Sequence, residues 1–153
     1  MTAEQVFNRF SIALFDFEKS IAYAEEAARH SPGGLTHEAL LFAAIVCYYR
    51  PFSPNEKDKS SPAASQLKFE EFSPLTSAEY ELHECCKALR NKALAHSEYE
   101  FNPTRLYASG VIASRPFALL RHAPAISALV ALARKLADEC HNKRASHVRK
   151  PTP

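Results

Sequence analysis

Apolar residues recur at intervals of three and four along much of the chain, and this helical period constrains the fold more than any other feature. It is clearest in the first 30 residues, where the stripe consists of Val6, Phe10, Ala13, Phe17, Ile21, Ala24 and Ala28. Such a stripe predicts an amphipathic helix over residues 4–29, with one face against a core. The turn-forming residues Ser-Pro-Gly-Gly at 31–34 are predicted to end it.

The same period predicts two further helices. Thr36 is the predicted cap of helix two, which covers residues 36–50. Apolar residues surround the axis of this helix, which is typical of a central helix buried on most sides. Helix three is predicted over residues 76–95, because Thr76 and Glu79 form a capping box ahead of a helical apolar pattern.

A long loop is predicted between helices two and three. Residues 51–74 contain four prolines and five serines, which is a loop composition. The apolar side chains of Leu67, Phe69 and Phe72 predict that its second half packs against the body. Disorder is expected over residues 53–64.

The last third of the chain begins with a segment in which apolar residues show no helical spacing. Residues 97–123 contain turn signals such as Gly110, so either a short hairpin or an irregular excursion fits them. A last helix is predicted from Pro124, since proline suits the first helical turn. Its inner stripe consists of Ile126, Leu129, Val130, Ala133, Leu136 and Cys140.

The predicted fold class is all-α, a bundle of four to five helices. The 153 residues, 46% hydrophobic and 24% charged, suit one soluble domain. We assign residues 1–146 to this domain and residues 147–153 to a basic C-terminal tail. The basic composition of residues 141–150 predicts a solvent-exposed end after the last helix. Such an end is compatible with a site that binds polyanions.

Several function classes are excluded by composition. With only three glycines, the chain cannot build the glycine-rich loops of P-loop or dinucleotide folds. Its four cysteines form no C-x-x-C pair and its histidines have no zinc-ligand spacing, so no metal or cofactor is predicted and the thiols are expected to be reduced. The longest apolar run, Ala39–Tyr49, is too short for a membrane span, and the first residues do not resemble a secretory signal. We expect a cytoplasmic protein.

One stretch gathers residues that suit phosphoryl transfer. Arg90, Asn91 and His96 place a permanent cation, an amide and a side chain that titrates near neutrality at the end of helix three. Cleavage of RNA needs a base for the ribose 2′-hydroxyl and a cation for the charge that develops on the phosphate oxygens. These three residues are the predicted catalytic group, and His83, Lys92 and Tyr99 are the further substrate-binding candidates.

The segment Arg-Asn-Lys-Ala-Leu-Ala-His resembles the R-x(4-6)-H signature of HEPN domains (higher eukaryotes and prokaryotes nucleotide-binding), in particular their abortive-infection and toxin-like branch. The resemblance implies a metal-independent endoribonuclease or a relic of one, in which His96 acts as base or acid, Arg90 stabilises the transition state and Asn91 orients a phosphate or His96. It also implies a homodimer with two motifs facing across a cleft. Some HEPN toxins carry a tyrosine two residues after the histidine that an antitoxin modifies. Here that position is Glu98 and the tyrosine is Tyr99.

Other interpretations stay open. On a straight α-helix at about 100° per residue, His96 lies roughly 120° around the axis from Arg90. Either the helix therefore ends before His96, or two chains build the site. Arg90 and His96 could also serve only to complement the helix dipole and cap its end, and His83 could be a half-exposed surface histidine. The alternative function is a non-catalytic HEPN-like module that binds protein or nucleic acid.

Overall fold

The computed structural model describes residues 3–53, 66–72, 74–94, 104–114 and 117–146. Four α-helices dominate these residues: α1 (Ala3–Ala27), α2 (Leu35–Tyr49), α3 (Ser77–Ala88) and α4 (Ile126–Ala145). The predicted all-α class is confirmed. Of the tail, residues 147–153 lie outside the described part of the chain.

Short elements connect the helices. Single 3-10 turns cover Arg50–Phe52, Phe69–Phe72 and Leu119–Arg121, and a π-helical turn, Leu89–Leu94, follows α3 directly. The predicted hairpin is present. Its strands, β1 (Thr104–Leu106) and β2 (Ile112–Ser114), pair antiparallel with Leu106 opposite Ile112. Gly110 in the connection adopts a φ of 81°, which suits glycine because it has no Cβ.

Helix α1 forms the middle of the bundle, because it packs against both α2 and α4. Helix α2 in turn packs against α1, α3 and three of the short helical turns, so the central position predicted for helix two is shared with α1. Helix α2 leaves Phe42 41% exposed, so its apolar surface exceeds what the neighbouring elements cover. The fully buried ring of Phe17 on α1 contacts the rings of Tyr48 and Phe52.

Polar contacts also join α1 to α2. Asp16 is only 2% exposed and accepts two hydrogen bonds from the guanidinium of Arg50. Burial raises the pKa of Asp16, and the interaction with Arg50 opposes that rise. The Ser20 hydroxyl donates to the carbonyl of Ala44 at 2.8 Å. The buried side chains of Asp16 and Ser20 on α1 are thus paired with α2 and the turn that follows it, which fixes the relative position of these elements.

The segment 66–72 lies across the bundle, and we call it the strap. Its side chains Leu67, Phe69 and Phe72 are buried, as predicted. Arg9 on α1 donates to the carbonyl of Gln66 at 3.0 Å and to the carboxylate of Glu71 at 2.7 Å. The disorder expected over residues 53–64 falls outside the described residues, apart from a buried Ser53.

The first part of the basic run, residues 141–145, belongs to the last helix and is not a solvated tail. Helix α4 continues to Ala145, and the ammonium of Lys143 donates to the carbonyl of Glu71 at 2.6 Å. The same ammonium and the guanidinium of Arg144 lie over aromatic rings of α1. The prediction of a solvated end is wrong up to residue 145, because these long side chains pack along the bundle.

The predicted helix starts were partly right. Thr76 caps α3, and its capping box with Glu79 is complete. Thr36 does not cap α2, because that helix begins one residue earlier, with Gly34 in extended backbone conformation at the N-cap and no side-chain cap. Helix α4 begins two residues after Pro124, since Ala125 still has an extended ψ of 132°. No helix of the described residues is long and apolar enough to cross a bilayer.

The two threonines provide a matched test of these caps. Thr76→Ala removes a side-chain acceptor from the first turn of α3 and is expected to lower the free energy of unfolding by about 1 kcal/mol. Thr36→Ala removes an exposed side chain that caps nothing, so it should change that free energy by less than about 0.5 kcal/mol. Urea unfolding of both variants measures the difference. Equal losses would contradict the assignment of the caps.

Candidate functional site

The Arg-Asn pair lies where the backbone leaves the α-helix. Helix α3 ends at Ala88, and residues Leu89–Leu94 adopt a π-helical turn. Leu89 is 1% exposed, and the turn packs against α2. Turns of this kind occur frequently at functional sites. The predicted helix three is thus helical as far as Leu94, with π-helical rather than α-helical geometry from Leu89, and Ala95 lies outside the described residues. The roughly 100° per residue of a straight α-helix does not apply over this turn.

Within this turn, Asn91 holds Arg90. An Nη1 hydrogen of the guanidinium bonds to the amide Oδ1 of Asn91 at 2.9 Å, and both side chains are half-buried. The bond uses one of the five guanidinium hydrogens, and no other group of the described residues bonds to the remaining four. Asn91 thus orients Arg90 rather than acting independently of it.

Arg90 bonds to an uncharged side chain, whereas other arginines of the described residues bond to carboxylates. Arg9, Arg50 and Arg134 each pair with a carboxylate. Among the residues that the structure describes, no carboxylate pairs with Arg90, and its partner is a neutral amide. The positive charge of Arg90 is therefore not compensated by that bond.

A cleft of about 180 Å³ lies between the strap and α3. Tyr80, His83 and Lys87 line it from α3, and Tyr49 lines it from the end of α2. Burial raises the pKa of Tyr49, and the positive charges of Lys87 and Arg90 oppose that rise. Arg90 itself does not line the cleft; it lies three residues beyond the lining residue Lys87, in the turn that follows α3 directly.

His83 forms the floor of this cleft and is only 6% exposed. Its ring stacks on Phe69 of the strap with centroids 3.9 Å apart and an angle of 8° between planes. Phe52 meets the ring edge-on at 4.7 Å, and Nδ1 lies 3.2 Å from the hydroxyl of Tyr48. The interpretation of His83 as a half-exposed surface histidine is wrong, because the strap covers it.

Burial also decides the protonation of this histidine. Desolvation lowers the pKa of His83 from 6.5 to about 4, and nearby Lys87 adds to the decrease while Glu84 and Glu70 oppose it. The ring is therefore neutral at pH 7. It can exchange hydrogen bonds with a ligand, whereas it is a poor proton donor in catalysis at neutral pH.

The structure brings together part of the predicted site. Arg90 and Asn91 are in contact with each other. His83 lines the cleft together with Lys87. Lys92 is placed by its backbone alone, in the π-helical turn. His96 and Tyr99 lie outside the described residues.

Sequence reasoning missed Tyr80 and Lys87. A signal for them existed, because Tyr80, His83, Lys87 and Arg90 follow one another at intervals of three, four and three, which is one face of a helix. Lys87 donates to the carboxylate of Glu84 at 2.9 Å, and this bond raises the pKa of the ammonium. Lys87 therefore carries its positive charge at the rim of the cleft at neutral pH.

Comparisons of the chain with protein-family models, curated proteins and solved structures gave no match. Within the described residues, no group of three His, Cys, Asp or Glu side chains is arranged to hold a metal ion. The site is therefore characterised by its own geometry: an oriented arginine beside a small cleft with an aromatic floor.

The neutral histidine predicts how stability depends on pH. The folded chain binds a proton at His83 only near pH 4, whereas the unfolded chain binds it near pH 6.5. Lowering the pH through this window favours unfolding, by an amount on the order of 2 kcal/mol. Urea unfolding at several pH values measures the loss, and His83→Gln should remove most of it.

His141→Gln is the matched control, because His141 is exposed on α4. It should keep the pH dependence of the unaltered chain. An NMR titration of the His83 ring gives the same information without a substitution. A midpoint at pH 6 or above would contradict the buried, neutral ring.

Proposed function

We propose that this chain is a HEPN-like endoribonuclease that cleaves RNA in the cytoplasm as part of a defence or stress response, in the manner of an RNase toxin. The observation that carries the proposal is the bond between Arg90 and Asn91 at the π-helical turn. It supports a role for Arg90 toward an anionic ligand, because the guanidinium is oriented and no carboxylate of the described residues compensates its charge. The resemblance of residues 90–96 to the HEPN signature agrees with this role.

The proposed reaction is an internal transfer at phosphorus. The ribose 2′-oxygen forms a bond to the adjacent phosphorus while the bond from phosphorus to the 5′-oxygen breaks. His96 takes the proton of the 2′-hydroxyl, and the departing 5′-oxygen takes a proton from solvent water. The products are a 2′,3′-cyclic phosphate and a 5′-hydroxyl, and the HEPN resemblance implies that the reaction is independent of metal ions.

The role of Arg90 in this reaction is electrostatic. Negative charge on the non-bridging phosphate oxygens increases in the transition state, and a guanidinium already in position stabilises that charge without reorganising. Asn91 contributes through Arg90 and is a positioning residue. The proposal gives His83 no proton transfer, because a pKa of about 4 makes its ring a weak base and leaves little of the protonated acid at neutral pH.

The partners of this function are also proposals. The HEPN resemblance favours a homodimer in which two copies of the motif share a cleft, and a cognate antitoxin protein would restrain the nuclease. Tyr99, the tyrosine nearest the position that antitoxins modify in some HEPN toxins, is one residue further along than in those proteins.

The alternative, a non-catalytic HEPN-like binding or assembly module, is favoured by a different observation. The hairpin exposes the apolar side chains of Leu106, Tyr107, Val111 and Ile112. Among the described elements, its strands make extensive contact only with each other. Exposed apolar patches of this kind are typical of surfaces that bind another molecule. RNA that is bound but left uncut by the unaltered chain would support this second function.

Cleavage of RNA in the presence of EDTA tests the nuclease proposal. We expect the unaltered protein to produce 2′,3′-cyclic phosphate ends. Arg90→Ala should lower the rate by roughly 10²- to 10³-fold through loss of transition-state stabilisation. His96→Ala should lower it by roughly 10²- to 10⁴-fold through loss of the base. The controls Arg105→Ala and His141→Ala alter exposed side chains and should keep the full rate.

Mixing the two inactive variants extends the same assay to the dimer. If each site takes Arg90 from one chain and His96 from the other, a mixed dimer contains one intact site, and roughly a quarter of the activity returns. Thermal denaturation of each variant excludes misfolding as the cause of a loss. Equal background activity in the unaltered protein and both variants would reject catalysis.

A further inference from the structure

The floor of the cleft offers a hydrogen-bond donor. His83 is only 6% exposed. Within the described residues its ring forms one hydrogen bond, which joins Nδ1 to the hydroxyl of Tyr48. In that part of the chain, Arg9 Nε is the sole side-chain polar atom that is both fully buried and without a partner. Nε2 of His83 has no partner among these residues and is therefore not fully buried, and the cleft is the opening that His83 lines.

The direction of the bond to Tyr48 determines which nitrogen carries the hydrogen. Tyr48 is fully buried, so its hydroxyl hydrogen needs an acceptor, and leaving it unpaired is costly. Among the described groups, Nδ1 of His83 is the acceptor within reach, at 3.2 Å. Tyr48 therefore donates and Nδ1 accepts. In the neutral ring the hydrogen is then on Nε2, which presents an N–H donor to the cleft.

An aromatic ring forms part of the cleft wall. Tyr80 is 38% exposed, and its ring meets Phe69 at right angles with centroids 5.1 Å apart. The stack of Phe69 on His83 holds that arrangement in place. The wall thus combines a rigid, partly exposed aromatic ring with the donor on the floor.

The rim supplies both acceptors and donors. The carboxylates of Glu70 and Glu84 and the ammonium groups of Lys68 and Lys87 lie around it. At about 180 Å³ the cleft is smaller than a pocket for a drug-sized ligand, and it suits a single planar ring system. Aromatic stacking together with donors and acceptors is how proteins recognise an unpaired base of RNA.

We infer that the cleft between the strap and α3 is a nucleobase subsite, which holds the base next to the phosphate that Arg90 contacts. This inference rests on the proposed nuclease function and adds base selection to it. The His83 Nε2 hydrogen bonds to a carbonyl or ring nitrogen of the base, and the ring of Tyr80 stacks on it. Lys87 lines the cleft and Arg90 follows it by three residues in the adjoining turn, which sets the phosphate position at this end of the cleft.

Calorimetric titration with AMP, GMP, CMP and UMP tests the subsite, and ribose 5-phosphate serves as the ligand without a base. At least one mononucleotide should bind at least fivefold more tightly than ribose 5-phosphate. Tyr80→Ala should weaken that binding by roughly 5- to 100-fold, as expected for loss of base stacking. Tyr107→Ala is the control, because it removes an exposed tyrosine on the hairpin.

Tyr80→Leu guards against a loss of folding, since leucine still covers Phe69 but offers no aromatic face. It should weaken mononucleotide binding as Tyr80→Ala does. Two results would overturn the inference. One is that no mononucleotide binds more tightly than ribose 5-phosphate; the other is that both Tyr80 variants bind mononucleotides as tightly as the unaltered chain does. Arg90-dependent RNA cleavage is measured separately, so cleavage without base binding rejects the subsite alone, and base binding without cleavage rejects the nuclease alone.

Discussion

The aromatic cluster between α1, the end of α2 and the strap is the interaction on which the rest of the structure depends. Phe52 contacts Phe17, Phe72, Phe69 and the ring of His83, so one side chain connects the bundle to the strap and to α3. Buried aromatic pairs contribute about 0.5–1.5 kcal/mol each beyond the area that they bury. Because the strap joins the fold through this cluster, the cluster creates one wall of the cleft and covers His83. The chemistry of the cleft floor follows from this packing.

The site combines two physical effects that work in opposite directions. At His83, burial removes charge and leaves a neutral ring with one nitrogen bonded to Tyr48. At Arg90, the charge is kept, and the neutral amide of Asn91 orients the guanidinium without compensating it. A neutral donor beside an oriented cation suits a ligand with a polar ring and an attached anionic group. A nucleotide within an RNA strand has both parts.

Much of the fold could be predicted from the sequence, because helices with one buried face leave a strong apolar period. The stripe from Val6 to Ala28 and the capping box at Thr76 led to the right elements. The cap of α2 was missed because Gly33, with a φ of 81°, turns the chain so that Gly34 rather than Thr36 precedes the helix. The π-helical turn was missed because leucine, arginine, lysine and alanine all favour an α-helix. The burial of His83 could not be read from α3, because the strap that covers it comes from another part of the chain.

The substitution Asn91→Asp tests the uncompensated charge of Arg90 most directly. Aspartate has nearly the shape of asparagine, so the bond to Arg90 can persist, but its carboxylate compensates the guanidinium. RNA cleavage in EDTA by the unaltered protein, Asn91→Asp and Asn91→Ala is the measurement. If the free charge acts on the phosphate, Asn91→Asp should cleave roughly 10²-fold more slowly than the unaltered protein, and Asn91→Ala, which loses only orientation, should lose less. Cleavage by Asn91→Asp at the full rate of the unaltered protein would contradict this role of Arg90.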